Sequence, residues 1–179
     1  MGLPFLKNGV NWQNWHIIPG MLPKLQFTLC FLTRGDDVLM LHRNRPPNAG
    51  LWNGIGGHWE EDESALQGVL REIEEETGYH LEKAFFCGIL TWEGFEIPAG
   101  GLVLFTAQAP EGEPQGCSEG KLAWKPKEWL FHSPEVVSNI HVFAPYILNG
   151  SNPLHFHFIY EAGKILAYKI SPVPAELRL

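Results

Sequence analysis

Residues 56–79, GGHWEEDESALQGVLREIEEETGY, leave this chain the least freedom in folding. The segment opens on glycines, and Ser64 with Gln67 has the capping-box spacing of a helix start. Gly78 stands where a left-handed residue ends a helix. Between these marks Leu66, Leu70, Ile73 and Thr77 recur with helical period, which predicts a core-facing stripe. Glu72, Glu75 and Glu76 share another face, at i, i+3 and i+4. Like charges so placed destabilise a helix by about 0.2–0.5 kcal/mol per pair, so they need a compensating cause. One cause is simple solvation of an acidic face. The other is a hard cation such as Mg²⁺, which takes oxygen ligands and keeps waters and substrate phosphates in its shell. Glycines before the helix suit the second, because they let backbone atoms approach a metal or phosphate closely.

The rest of the chain predicts a mixed α/β domain. Residues 25–33 and 38–42 read as a hairpin. Residues 43–57 are rich in Pro, Asn and Gly and read as a loop. Strands are expected over 85–92 and 102–108, with loops over 93–101 and 111–120. Residues 121–131 lead toward a second helical region near 134–148, and 154–160 with 165–170 form a terminal hairpin. Strands mixed with two separated helices imply the α/β class, a sandwich with helices on both faces of a mixed sheet. Residues 24–171 are expected to form the domain, with an irregular N-terminal extension over 1–23 and a tail over 172–179.

Composition narrows the function. The 179 residues are 45% hydrophobic and 18% charged, in the globular range for one domain. A formal net charge of −7 provides no basic surface for gripping a nucleic-acid polymer. An acidic protein can still bind a small polyanion if metal ions stand between them. Cys30, Cys87 and Cys117 lie far apart and are odd in number, so no disulfide framework is expected and a reducing compartment fits. No apolar run approaches the roughly 20 residues that span a bilayer. The N-terminus is broken by polar residues and carries neither a signal-peptide cleavage site nor, with Leu6, a myristoylation motif. The chain therefore reads as cytoplasmic and free of membrane.

The segment matches the Nudix box residue for residue: Gly57, five residues, Glu63, seven residues, then Arg71-Glu72-Ile73-x-Glu75-Glu76-x-Gly78. Tyr79 alone departs, at a packing position where the family usually has an aliphatic residue. The chain thus resembles the Nudix hydrolases. The resemblance implies an α/β/α sandwich, Mg²⁺ or Mn²⁺, and hydrolysis of a nucleoside diphosphate linked to another group. It further implies metal ligation by Glu72, Glu75 and Glu76, with the Gly57 carbonyl as a candidate fourth ligand. Arg71 would hold the box together by pairing with a glutamate, and Glu63 would brace the loop.

Outside the box, residues 51–57, LWNGIGG, resemble the W-N-G-F-G-G segment of MutT-type enzymes that hydrolyse oxidised purine nucleoside triphosphates. By that resemblance Asn53 contacts the base, Thr28 and Arg43 lie near the nucleotide, and Trp92 walls the pocket. Glu119 joins the metal site or acts as base. Where the animal enzymes carry Trp-Pro-Asp-Asp, this chain has Val137-Ser138-Asn139-Ile140, and Asn139 can take the place of a bacterial base-reading asparagine. Each position has a plainer reading. Asn53 can make a turn with Gly54; Trp92 can be core; Asn139 can cap a helix; Glu119 can be a solvated loop acid. Arg43 and Arg45 are better suited to phosphate, which a guanidinium matches bidentately. His155 and His157 alternate on one strand and, with no third ligand placed by spacing, read as strand-surface histidines.

Three functions follow. The first is a pyrophosphohydrolase of purine nucleoside triphosphates, 8-oxo-purines included. The second is hydrolysis of ADP-ribose, a dinucleoside polyphosphate or a nucleotide sugar. The third, a non-catalytic nucleotide-binding module, ranks last because every box carboxylate is present.

Overall fold

A computed structural model describes residues 23–95, 99–175 and 177. The expected N-terminal extension lies outside the described residues, save residue 23. Strand alternation builds the centre. In β1 (Leu25–Arg34), Leu29 and Phe31 face one core while Cys30 and Leu32 face another. In β2 (Asp37–Arg43), Val38 and Met40 divide from Leu39 and Leu41 in the same way. Strands buried on both sides read as continuous apolar runs, as these do.

The sheet continues through β3 (Trp52–Asn53), β4 (Phe85–Glu93), β5 (Gly100–Gln108), β6 (Gly120–Pro126), β7 (Leu154–Glu161) and β8 (Lys164–Pro172). Its order is β3-β2-β1-β5-β4-β7-β8, with β6 also paired to β2. β1 with β5 and β4 with β7 are parallel; the other pairs are antiparallel. Helix α1 (Ala65–Thr77) covers one face. Helices α2 (Lys127–His132) and α3 (Ile140–Leu148) cover the other. The expected α/β sandwich around a mixed sheet is therefore the observed fold. Among the described residues, no helix is long and apolar enough to cross a membrane.

The capping signals of α1 act as expected. Ser64 and Gln67 form both bonds of the capping box, and Gly78 ends the helix at φ 71°. The apolar stripe is rotated from its expected place. Leu66 is 40% exposed, and the buried positions are Ala65, Gly68, Val69, Ile73, Glu76 and Thr77. Gly68 decides the rotation: a Cβ there would meet the Trp59 Cβ at 2.5 Å, so the helix lies on its glycine side against residue 59.

Other expectations are corrected. The glycine-rich loop contains the short strand β3, and residues 120–126 form β6, both held to β2 by non-local pairing that local composition does not reveal. The helical region expected near 134–148 is helical only over 140–148, and a separate helix, α2, forms before it in the stretch expected only to lead there. Tyr79 is buried, and its hydroxyl donates to the Gly112 carbonyl at 2.8 Å while accepting from Arg34 at 3.1 Å. The Gln115 N–H donates to the Thr77 carbonyl at 2.7 Å. The polar tyrosine thus helps sew the loop before β6 to the end of α1.

His155 and His157 are not on the strand surface: they are 2% and 5% exposed. The Thr91 hydroxyl lies 2.7 Å from His155 Nε2 and 2.7 Å from His157 Nδ1. One hydroxyl proton serves one ring nitrogen only, so the other ring must donate to the hydroxyl. Burial, then the neighbouring His157 and Lys169, push His155 down to about 4. The unfolded chain, near 6.5, binds the proton more readily, so this residue's stabilising contribution is complete above pH 6.5 and is lost as pH falls toward 4. The melting temperature of the metal-free protein should fall across that window, and less steeply in His155→Gln, as thermal scans at graded pH will measure. An unchanged slope in the variant would remove His155 from the effect.

Candidate active site

The site begins with the chain between β3 and α1, which runs antiparallel along β1. Cys30 and Ile55 exchange backbone hydrogen bonds at 2.7 and 3.0 Å, and the Thr28 N–H donates to the Gly57 carbonyl at 2.8 Å. Glycine is required twice. Gly56 has φ 143°, and a Cβ there would sit on the Thr28 carbonyl. A Cβ on Gly57 would lie 2.7 Å from the Glu72 carboxyl. Backbone therefore lies directly against the acidic face of α1.

Glu76 occupies a core position on that helix and is 3% exposed. Its Oε2 accepts from the Gly56 N–H at 2.9 Å, while its Oε1 is buried with no hydrogen-bond partner. Burial, reinforced by Glu72 and Glu119 and opposed by the Gly56 N–H, pushes its carboxyl up to about 8. Burial likewise raises Glu72 above the usual carboxylate range, against the pull of Arg71.

Arg71 gathers the remaining charge. It clamps Glu63 through Nε at 2.8 Å and a second guanidinium nitrogen at 3.0 Å, and it reaches Glu72 at 3.1 Å and Glu75 at 3.5 Å. The Arg71 bond holds Glu63 down at about 2. Arg71 also donates to the His58 carbonyl at 3.1 Å, so this one side chain ties the loop to the helix. Glu75 is 60% exposed and lies outside the cavity wall. Across the cleft, Arg43 donates through Nε to the Pro47 carbonyl at 3.0 Å and pairs with Glu119 at 3.7 Å. Arg45, in contrast, is exposed and lies off the wall.

These groups fit a divalent cation chemically. A buried carboxylate oxygen without a partner, its acid raised in pKa by burial and then by its acidic neighbours, is stabilised by a positive ion. No three His, Cys, Asp or Glu side chains among the described residues are drawn together as a ready-made cage. The arginines occupy that role: Arg71 holds Glu72 and Glu75, and Arg43 holds Glu119.

A cavity of about 650 Å³ opens beside them. Thr28, Arg43, Gly57, Glu72 and Glu119 line it together with Asn53, Trp92 and Asn139. Asn53 ends the short strand β3 rather than making the expected turn with Gly54; its Oδ1 accepts from the Gly54 N–H at 2.9 Å, and the residue lines the cavity. Trp92 is at once core and cavity wall, 6.2 Å from the Phe27 ring. Asn139 stands at the start of α3 but makes no side-chain cap; it bonds instead to Tyr160, whose phenol burial pushes up to about 12. Phe27, Phe95 and Tyr160 also line the cavity, and sequence reading missed them. For Phe27 and Tyr160 the sequence signal is strand alternation, which puts Tyr160 on the face of Phe158; Phe95, beyond the end of β4, has no such signal.

Residues 24–145 match the NUDIX domain family model. The chain is 30% identical over 151 residues to an uncharacterised Nudix hydrolase, YvcI, of Bacillus subtilis (strain 168), spanning 81% of this chain and 93% of that one. It is 29% identical over 99 residues to an oxidized purine nucleoside triphosphate hydrolase of Mus musculus, spanning 55% of this chain and 64% of that one. The crystal structure of a mutator MutT protein from Bacillus halodurans matches with TM-score 0.67 and 32% identity, covering 84% of this chain and 100% of that one. The NUDIX domain of Shewanella oneidensis NrtR, solved with ADP ribose, shares the fold at TM-score 0.58 and 20% identity, covering 74% of this chain and 92% of that one. With the box geometry and these matches together, the chain belongs to the Nudix hydrolase family, enzymes that hydrolyse pyrophosphate bonds.

Proposed function

We propose that this Nudix hydrolase is a Mg²⁺- or Mn²⁺-dependent pyrophosphohydrolase of purine nucleoside triphosphates, 8-oxo-purines included. One observation carries the reading: a single cavity joins acidic and basic groups suited to a metal-bound polyphosphate with aromatic rings and carboxamides suited to a base. The similarity to MutT-type proteins supports it.

In this reading Glu72, Glu75, Glu76, Glu119 and the Gly57 carbonyl hold the ion. Bound there, it supplies charge neutralisation of the phosphates and an acidified water. Arg43, already braced by Pro47, turns its free nitrogens to phosphate oxygens, which it can meet bidentately. Glu119, released from Arg43, serves as ligand or proton acceptor. Arg71 keeps helix and loop together and acts through the carboxylates it positions. Trp92 and Phe27 offer surfaces for a flat base, as aromatic side chains do. Asn53 and Asn139 present amides that can both donate and accept at its edge. Discrimination arises because polar groups placed for one base go unpaired with another.

Purified protein should release pyrophosphate and a nucleoside monophosphate from purine triphosphates only with Mg²⁺ or Mn²⁺. A substrate panel including ADP-ribose and a dinucleoside polyphosphate will check this; activity that survives EDTA, or preference for those other substrates, overturns it. Metal binding must expel the proton from Glu76, so metal affinity should rise with pH up to about 8.

Glu76→Gln should abolish turnover and stabilise the metal-free fold. The carboxyl titrates near 8 when folded and near 4.5 when unfolded, so the metal-free protein loses stability as pH rises through that window. An amide removes the loss, and the melting temperature at pH 8 should rise by about 2–4 °C per kcal/mol relieved. A large drop instead would make Glu76 a structural residue only.

Asn53→Ala and Asn139→Ala should each raise KM for the preferred purine triphosphate by about tenfold, the scale of one buried hydrogen bond. Equal losses on pyrimidine triphosphates would show that these residues shape the wall without reading the base.

A further inference from the structure

Trp52 sets the spacing between the two cavity asparagines. Its N–H donates to the Glu135 carbonyl at 2.8 Å, and its carbonyl accepts from the Val137 N–H at 3.0 Å. On its other edge it pairs with His42 of β2. Asn53 follows it directly and Asn139 lies just beyond Val137, so the backbone of one residue relates the two amides.

The Trp52 indole is itself held by a cation. The Lys125 ammonium lies 4.6 Å from the centre of the Trp52 ring and 4.5 Å from that of Trp129. The two indoles stand edge-on, 6.0 Å apart at 89°. The His42 ring adds a third contact, 5.0 Å from Trp52. Lys125 comes from β6 and Trp129 from α2, which follows it directly, while Trp52 comes from the sequence-distant β3, so a local pair and a remote strand meet on one charge. A half-buried ammonium between two electron-rich rings is attracted to both faces, and tryptophan is the strongest aromatic partner.

We infer that Lys125 is a positioning residue for base recognition: held between Trp52 and Trp129, it fixes β3 against α2, the helix that leads directly into the segment bonded to Trp52, and so sets the separation of the Asn53 and Asn139 amides. The inference rests on reading the cavity as the nucleotide site. Lys125 pairs with Val38, at the far end of β6 from Gly120 and Glu119. Its influence therefore falls on binding at the amide end, with the carboxylate chemistry left intact. A guanidinium also engages aromatic faces and should substitute for the ammonium; a neutral side chain of similar length should not.

The test compares full-length Lys125→Met, Lys125→Arg and Trp129→Leu with the parent protein, using dGTP and Mg²⁺. Lys125→Met should raise KM about fivefold, the size of one partly exposed cation–π contact, with kcat within about twofold. Trp129→Leu should reproduce that split, and Lys125→Arg should restore the parent KM. Independently of turnover, the side-chain amide signals of Asn53 and Asn139 in ¹H–¹⁵N spectra of the ligand-free protein should move in Lys125→Met and Trp129→Leu and stay put in Lys125→Arg. A fall in kcat with KM unchanged, unmoved amide signals, or failure of arginine to restore KM overturns the role. Should Lys125→Met not fold, Trp129→Leu and Lys125→Arg decide it. If the parent protein turns over no purine triphosphate, the proposed function fails, and the amide signals still decide whether Lys125 spaces the two asparagines.

Discussion

The Gly56 N–H to Glu76 hydrogen bond is the interaction on which the rest of the site depends. It places a carboxylate at a core position of α1, where an apolar residue would pack at no electrostatic cost. Burying an acid without full pairing costs several kcal/mol unless it takes up a proton or meets a cation. Glu76 retains one satisfied oxygen and one orphan, next to Glu72 and Glu119. That arrangement suits a group that waits for a metal ion.

The bond forms only because the loop before α1 is laid down along β1. Cys30 and Thr28 give that loop a strand edge to pair with, and the glycines let it approach the strand on one side and the helix on the other. Arg71 then offsets the repulsion that Glu72 and Glu75 would otherwise add to the helix, and its bidentate bond to Glu63 fixes the loop a second time. Tyr79 and Arg34 perform the corresponding task for the loop that ends at Glu119. The acidic groups are thus delivered by three separate tethers to one sheet.

The division of the sheet into two faces separates stability from recognition. Val69 and Ile73 of α1 pack on the face of Cys30 and Leu32. The opposite face, with α2 and α3, supplies Trp92 and Tyr160 to the cavity wall. Thr91, His155 and His157 belong to the first face and form a buried polar chain away from the cavity wall.

The sequence by itself determined the carboxylate helix, its caps, its glycine loop and the family, because each depends on residues within a few turns of one another. Period two along the strands was also legible, and with it the α/β class. Tertiary structure decided the rest. Leu66 and Val69 satisfy helical spacing equally well, and only the approach of Trp59 to Gly68 chose which side is buried. His155 and His157 alternate like surface residues, yet a threonine on the neighbouring strand, together with Glu93 at 3.6 Å from His157, makes their burial tolerable. β3 and β6 are too short or too polar to announce themselves and exist because β2 offers them partners. The cavity draws Phe27, Asn53, Trp92, Asn139 and Tyr160 from separate elements. Their meeting is a property of strand order, which no local pattern encodes.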